Sequence, residues 1–243
     1  MADFEQAQPG LSLRDTAVVF LDVDGVLNTV ASTMTELDPA ALGRLKGVLD
    51  AVPGARIVLS TSWRQHPPMV KLLLQKLAEA GVPQATVIGA TPTRPLPRKS
   101  LSERAGGAAP SSARELCDMM SARVAELSSQ RADEIRACLR ASPPKAWVAL
   151  DDLPLAMLDD DDDDDEARMH GSMERDAYSL ASLRAAQRTR QAVALPRAHF
   201  VRTSDLEGLS EARAARAIEL LRAQLDGSGA PPAERTSTTG APA

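Results

Sequence analysis

Five short apolar runs punctuate the chain, at residues 17–21 (AVVFL), 56–59 (RIVL), 85–88 (ATVI), 146–150 (AWVAL) and 199–201 (HFV). Such short runs, rich in β-branched residues and bounded by turn formers, read as buried strands. Between them apolar residues recur at helical spacing. Residues 39–51 carry Leu42, Leu45, Val48 and Leu49 on one face, and residues 69–80 carry Val70, Leu73, Leu74 and Leu77. A briefer helix is expected over 131–141, opened by Arg131 and facing inward with Ile135, Cys138 and Leu139. The segment 209–225 closes the pattern as an amphipathic helix with Ile218, Leu221 and Leu225. Strands alternating with helices predict an α/β fold, a three-layer doubly wound parallel sheet with five core strands.

Ligands of such sheets bind just beyond the carboxyl ends of the strands. The residues following the apolar runs are Asp22-Val23-Asp24, Ser60-Thr61-Ser62, Gly89, Asp151-Asp152 and Arg202-Thr203. That is an acidic and hydroxylic set on one edge. Two stretches interrupt the alternation. Residues 91–130 are long for a connection and rich in turn formers, with a separate helix expected around 113–127. Residues 159–166 are eight consecutive acidic residues, a self-repelling run that points to a second insertion over 159–195, with some helix in 177–192. The expected organisation is therefore a disordered N-terminus at 1–14, one domain at 15–226 with insertions at 91–130 and 159–195, and a disordered tail at 227–243.

Composition narrows the class further. Of 243 residues, 44% are hydrophobic but only 2% aromatic, which suits a Leu/Val/Ile/Ala core under helices better than an aromatic-rich sandwich. A net charge of −5 gives no global pull toward nucleic acid or anionic membrane. Cys117 and Cys138 form no CxxC and no metal spacing, as expected in a reducing compartment. No basic-then-apolar leader opens the chain and no apolar run approaches the ~20 residues of a bilayer span. A cytoplasmic protein without membrane contact is the default expectation, with nuclear or organellar placement left open.

The chemistry concentrates in VVFLDVDGVLN. A buried strand delivers Asp22 and Asp24, and Gly25 turns the chain away at once. Residues two apart on a strand share a direction, so the two carboxylates are expected to face one site. Carboxylates so placed repel unless a cation or a shared proton relieves them, and a hard oxygen-loving ion such as Mg²⁺ suits them. Asp22 could then attack phosphorus while Asp24 protonates the leaving oxygen; a turn with two solvated aspartates is the plain alternative. In IVLSTSWR, the hydroxyls of Ser60, Thr61 and Ser62 can hydrogen-bond a phosphoryl oxygen or merely cap a helix. Trp63 and Arg64 either line the entrance or serve as packing and surface. In WVALDDLPL, Asp151 and Asp152 again call for a cation. Arg131, Lys145, Arg98 and Lys99 are the candidate phosphate-binding cations.

These segments resemble the haloacid dehalogenase (HAD) superfamily: VVFLDVDGVLN its first motif, STS its second, Arg131 its third and LDD its fourth. A closer resemblance is to the HAD-type domains of Swiss Army Knife RNA-repair proteins. It is carried by LDVDGVLN, LSTSWR, VIGATP, RADEI before WVALDD, and FVRTSDLEGLS. The resemblance implies a HAD-like Rossmannoid fold and a Mg²⁺-dependent phosphatase. In it Asp22 forms an aspartyl-phosphate and Asp24 acts as general acid, then base. Asp22, the Asp24 carbonyl and Asp152 (Asp151 as alternative) hold the metal. Thr61 serves the second motif with Ser60 as alternative, and Arg131 binds phosphate. Ser60, Ser62, Gly25 and Arg64 are the expected substrate contacts. Only 28–39 separates the first motif from the next helix, too short for a large cap there. The implied partner is a phosphorylated substrate, a small molecule or a nucleic-acid end. A non-catalytic scaffold with acidic interaction segments is the reading from another class. A dehalogenase does not need the second aspartate, and nothing here supports a mutase.

Overall fold

The computed structural model describes residues 13–30, 32, 35–93, 112–156 and 194–227. The expectations for 1–12, for the acidic run and most of the second insertion, and for the tail beyond 227 lie outside the described residues. The strands are β1 (Ala17–Leu21), β2 (Arg56–Leu59), β3 (Val87–Ala90), β4 (Ala146–Asp151) and β5 (Phe200–Arg202). They form one parallel sheet in the order β3-β2-β1-β4-β5. The helices are α1 (Pro39–Ala51), α2 (Pro67–Glu79), α3 (Ala113–Ala141) and α4 (Glu211–Leu225).

β1 lies at the centre with all five residues buried, because both its edges and both its faces are covered. One face (Val19, Leu21, Ile57, Leu59, Val148, Leu150) packs against Leu42, Leu45 and Val48 of α1, Leu73 and Leu77 of α2, and Ala217 and Leu221 of α4. The other face (Val18, Phe20, Val58, Ala149) meets Ala132 and Ile135 of α3. This is the expected three-layer arrangement. The chain steps from β1 outward to β2 and β3, then returns through α3 to β4 on the opposite side of β1. The carboxyl ends of β1 and β4 therefore flank the topological switch point, where open α/β sheets form their clefts.

Several boundaries differ from expectation: β4 runs one residue further, to Asp151, the second helix is Pro67–Glu79 and the last starts at Glu211. Residues 113–127 and 131–141 are one helix, not two: nothing between 113 and 142 is Gly or Pro, and Ser112 caps the Glu115 N–H at 3.2 Å. Arg131 accordingly sits within α3 rather than at a helix start, one turn before Ile135 on the face toward the sheet. The third strand starts two residues late, because residues 84–86 form a 3₁₀ turn. Its end is thus marked by Thr91, not Gly89, and the Thr91 N–H bonds Leu59 O at 2.9 Å. β5 likewise runs one residue further, to Arg202. No helix among the described residues is long and apolar enough to cross a membrane.

Candidate active site

The Asp22 N–H still pairs with Leu150 O of β4 at 3.0 Å, so Asp22 stands where the central strand ends. The residue is 3% exposed and Oδ1 accepts the Val23 N–H at 2.8 Å. The chain then coils: the N–H groups of Val26 and Leu27 return to Val23 O at 3.2 and 2.8 Å, and Gly25 takes φ +70°. Asp24 therefore lies in a turn, not on a strand, and strand alternation is not what aims it. Its exposed carboxylate is held from the side instead. Asn28 Nδ2 donates to Oδ1 at 3.0 Å, and the Trp63 indole N–H reaches both oxygens at 3.1 Å.

β4 delivers the other acids. Asp151, 1% exposed, accepts the Leu153 N–H through Oδ1 at 3.0 Å and Arg131 Nη1 through Oδ2 at 2.9 Å. Asp152 is half-buried and lies directly over Gly25. A Cβ at position 25 would stand 2.6 Å from Asp152 Cβ, so the glycine is required by contact as well as by its positive φ. Asp22, Asp151 and Asp152 each bring a carboxylate oxygen within 4.8 Å of the others. Oxygens around one Mg²⁺ are at most ~4.2 Å apart across an octahedron, so a small side-chain adjustment would gather the three on one ion. Both Asp151 oxygens already have partners, and Asp152 is the less buried of the two acids. The Asp24 carboxylate does not belong to this group.

The electrostatics are those of crowded, buried acids. Burial raises the Asp22 carboxyl above its ordinary value against the pull of Arg131 and the Val23 N–H. Burial likewise raises Asp151 well above 3.8, with Arg131 opposing and Asp22 adding to the rise. Asp152 is pushed up to about 7 by burial and by the neighbouring Asp22 charge. Three carboxylates share one nearby guanidinium, and they resist ionising together.

That guanidinium is Arg131, whose Nη1 lies 3.2 Å from Asp22 Oδ1 and 2.9 Å from Asp151 Oδ2, and also donates to Ser60 O. Burial works against its charge, but Asp22, Asp151 and Glu134 more than offset it and raise its pKa. The other candidate cations fare differently. Lys145 precedes β4, at the amino edge of the sheet and away from the acids, so it is not the site's cation. Arg98 and Lys99 lie outside the described residues. Arg64 is neither surface nor free for substrate: Nη2 pairs with Glu134 at 2.5 Å, the two side chains are 6% and 2% exposed, and Nη1 donates to Thr61 O. Burial lowers its pKa, with Glu134 opposing.

Among the hydroxyls, Thr61 is fully buried beside Asp22 and accepts the Trp63 N–H at 3.2 Å. Ser60 is buried beside it, and its Oγ has no hydrogen-bond partner among the described residues. Ser62 is exposed at the start of the 3₁₀ turn Ser62–Gln65.

Roles for Asn28 and Glu134 went unassigned from sequence, though each lies inside a motif string, LDVDGVLN and RADEI. Glu134 had a signal: three residues after Arg131, it shares that face of α3.

A carboxylate pair after the central strand, a hydroxyl after its neighbour, an inward-facing arginine and a second acid pair at the switch point together define a HAD-type domain. The chain belongs to the family described as the HAD domain in Swiss Army Knife RNA repair proteins, whose model matches residues 18–175. Comparison with curated proteins and with solved structures found no match.

Proposed function

We propose that the protein is a Mg²⁺-dependent phosphatase acting through an aspartyl-phosphate. The observation behind this is the convergence of Asp22, Asp151 and Asp152 within 4.8 Å, with Arg131 3.2 Å from Asp22. Asp22, Asp152 and the Asp24 carbonyl would hold the ion, with Asp151 behind them. When bound, Mg²⁺ supplies positive charge against the charge that develops on the phosphoryl oxygens.

The remaining steps belong to the chain's own residues. Arg131 and Thr61 orient the phosphoryl group and keep the Asp22 carboxylate aimed at phosphorus. Asp22 forms a P–O bond as the ester P–O bond breaks, and Asp24 passes its proton to the departing oxygen. Asp24, now ionised, takes a proton from the water that attacks the acyl phosphate, which releases phosphate and restores Asp22.

Family membership motivates a phosphorylated nucleic-acid end as substrate class, with small phosphate esters as the comparison. The Asp22→Asn variant should lose hydrolysis of an aryl phosphate in Mg²⁺ while its circular dichroism matches wild type; undiminished turnover would remove the mechanism. A 3′-phosphorylated oligonucleotide should be preferred over small esters, and absence of that preference would remove the nucleic-acid assignment.

A further inference from the structure

The 3₁₀ turn Ser62–Gln65 follows β2 directly and is anchored at its start by Thr61, whose Oγ1 accepts the Trp63 backbone N–H. The side chain of Trp63, a residue 4% exposed, packs into the main hydrophobic core just beyond the end of β2, with its indole N–H turned to the exposed Asp24. Its only polar atom, Nε1–H, is spent on Asp24 and lies 3.1 Å from each carboxylate oxygen. Asn28 Nδ2 fixes Oδ1 as well, and Asn28 Oδ1 accepts the Gly25 N–H at 3.1 Å, so the amide is itself tied to the turn. Asp24 is otherwise exposed, on a turn, with free rotation of its carboxyl as the default. Two side chains from different elements, one of them 39 residues away, remove that freedom.

We infer that Trp63 is a positioning residue for Asp24 in proton transfer to the leaving oxygen, an inference that rests on the phosphatase reading above. An indole N–H donates only and takes no proton, so it orients the carboxyl without competing for the proton that moves. Asn28 holds Oδ1, so Oδ2 is the less encumbered oxygen and the one that delivers the proton as the ester P–O bond breaks. The turn that follows β2 carries both Thr61, which lies beside Asp22 and accepts the Trp63 N–H, and the indole that holds Asp24, so one local element bears on nucleophile and acid. Proximity without that frame loses much of its advantage, since displacement of a reacting group by about 1 Å costs on the order of a hundredfold.

A buried indole that only satisfied its own N–H would show the same contact, so the test must separate positioning from packing. Two replacements serve: Trp63→Phe, and a benzothienyl-alanine at position 63, which keeps the shape and exchanges N–H for sulfur. The measured quantity is kcat/KM in Mg²⁺ for para-nitrophenyl phosphate, whose leaving group departs without a proton, and for glycerol phosphate, whose alkoxide requires one. Expected is a loss of about tenfold or more on glycerol phosphate, within what a positioned acid supplies, and less than about twofold on the nitrophenyl ester. Equal losses on the two esters in either folded variant would overturn the inference while leaving the phosphatase reading standing. A wild-type protein that hydrolyses neither ester would overturn both. Without substrate, the resonance Raman band reporting indole N–H hydrogen bonding should shift on Asp24→Ala; an unmoved band would overturn the contact itself.

Discussion

Replacing Asp152 by Asn removes the one acid of the cluster that is both half-exposed and forced to share space with Gly25. In the protein without metal, Asp152 has its pKa at about 7 against an ordinary 3.8. A folded-state value above the unfolded one means that the folded protein holds its proton more tightly. The associated stability is fully present below the ordinary carboxylate range and is lost as pH rises through about 7. The full difference corresponds to ~4 kcal/mol, and screening of a partly exposed group reduces this to ~2 kcal/mol. At pH 8 in chelator, Asp152→Asn should therefore melt about 5 °C above wild type, and at pH 5 the gain should shrink. Adding Mg²⁺ reverses the comparison, because the ion binds the folded wild type and stabilises it by mass action, whereas the variant has lost a ligand. Differential scanning fluorimetry at both pH values, with and without Mg²⁺, measures all four states. A variant less stable than wild type in chelator at pH 8, or one with an undiminished Mg²⁺ response, would refute the reasoning.

The remaining predictions concern what supports the acids. Gly25→Ala sets a Cβ 2.6 Å from Asp152 Cβ at a backbone φ of +70°; it should cost about 2 kcal/mol in urea denaturation and weaken the Mg²⁺ response by displacing Asp152. Arg64→Ala removes the cation paired with Glu134, whose side chain is 2% exposed and keeps the Gln130 amide at 3.0 Å and the nearby Arg131 charge, and should cost about 2–4 kcal/mol. The double variant Arg64→Met with Glu134→Leu should recover most of that loss, and failure to recover would mean that Arg64 does more than balance Glu134.

Much of this architecture was legible in the chain's periodicity. Burial on both faces of a parallel sheet demands short continuous apolar runs, and the helices over it demand apolar residues at helical spacing. β1 and β2 therefore appeared with their ends in place, and Asp22 with them. The ends of β3 and β5 slipped because edge strands carry weaker constraints: all four residues of β3 are only partly buried. The break assumed between 127 and 131 came from composition ahead of it, although no helix-breaking residue stands there.

What only the tertiary structure decided was which charge meets which. Arg131 finds Asp151 across 20 residues, Arg64 finds Glu134 across 70, and the Trp63 indole finds Asp24 across 39. Local propensity is silent on such pairs, since a guanidinium on a helix face is as acceptable in water as in a buried pair. The selection of the two ion pairs follows from desolvation. Once the sheet order brings β1 beside β4 and lays α3 across them, an unpaired buried charge is costly, and only the partners that this layout supplies can relieve it.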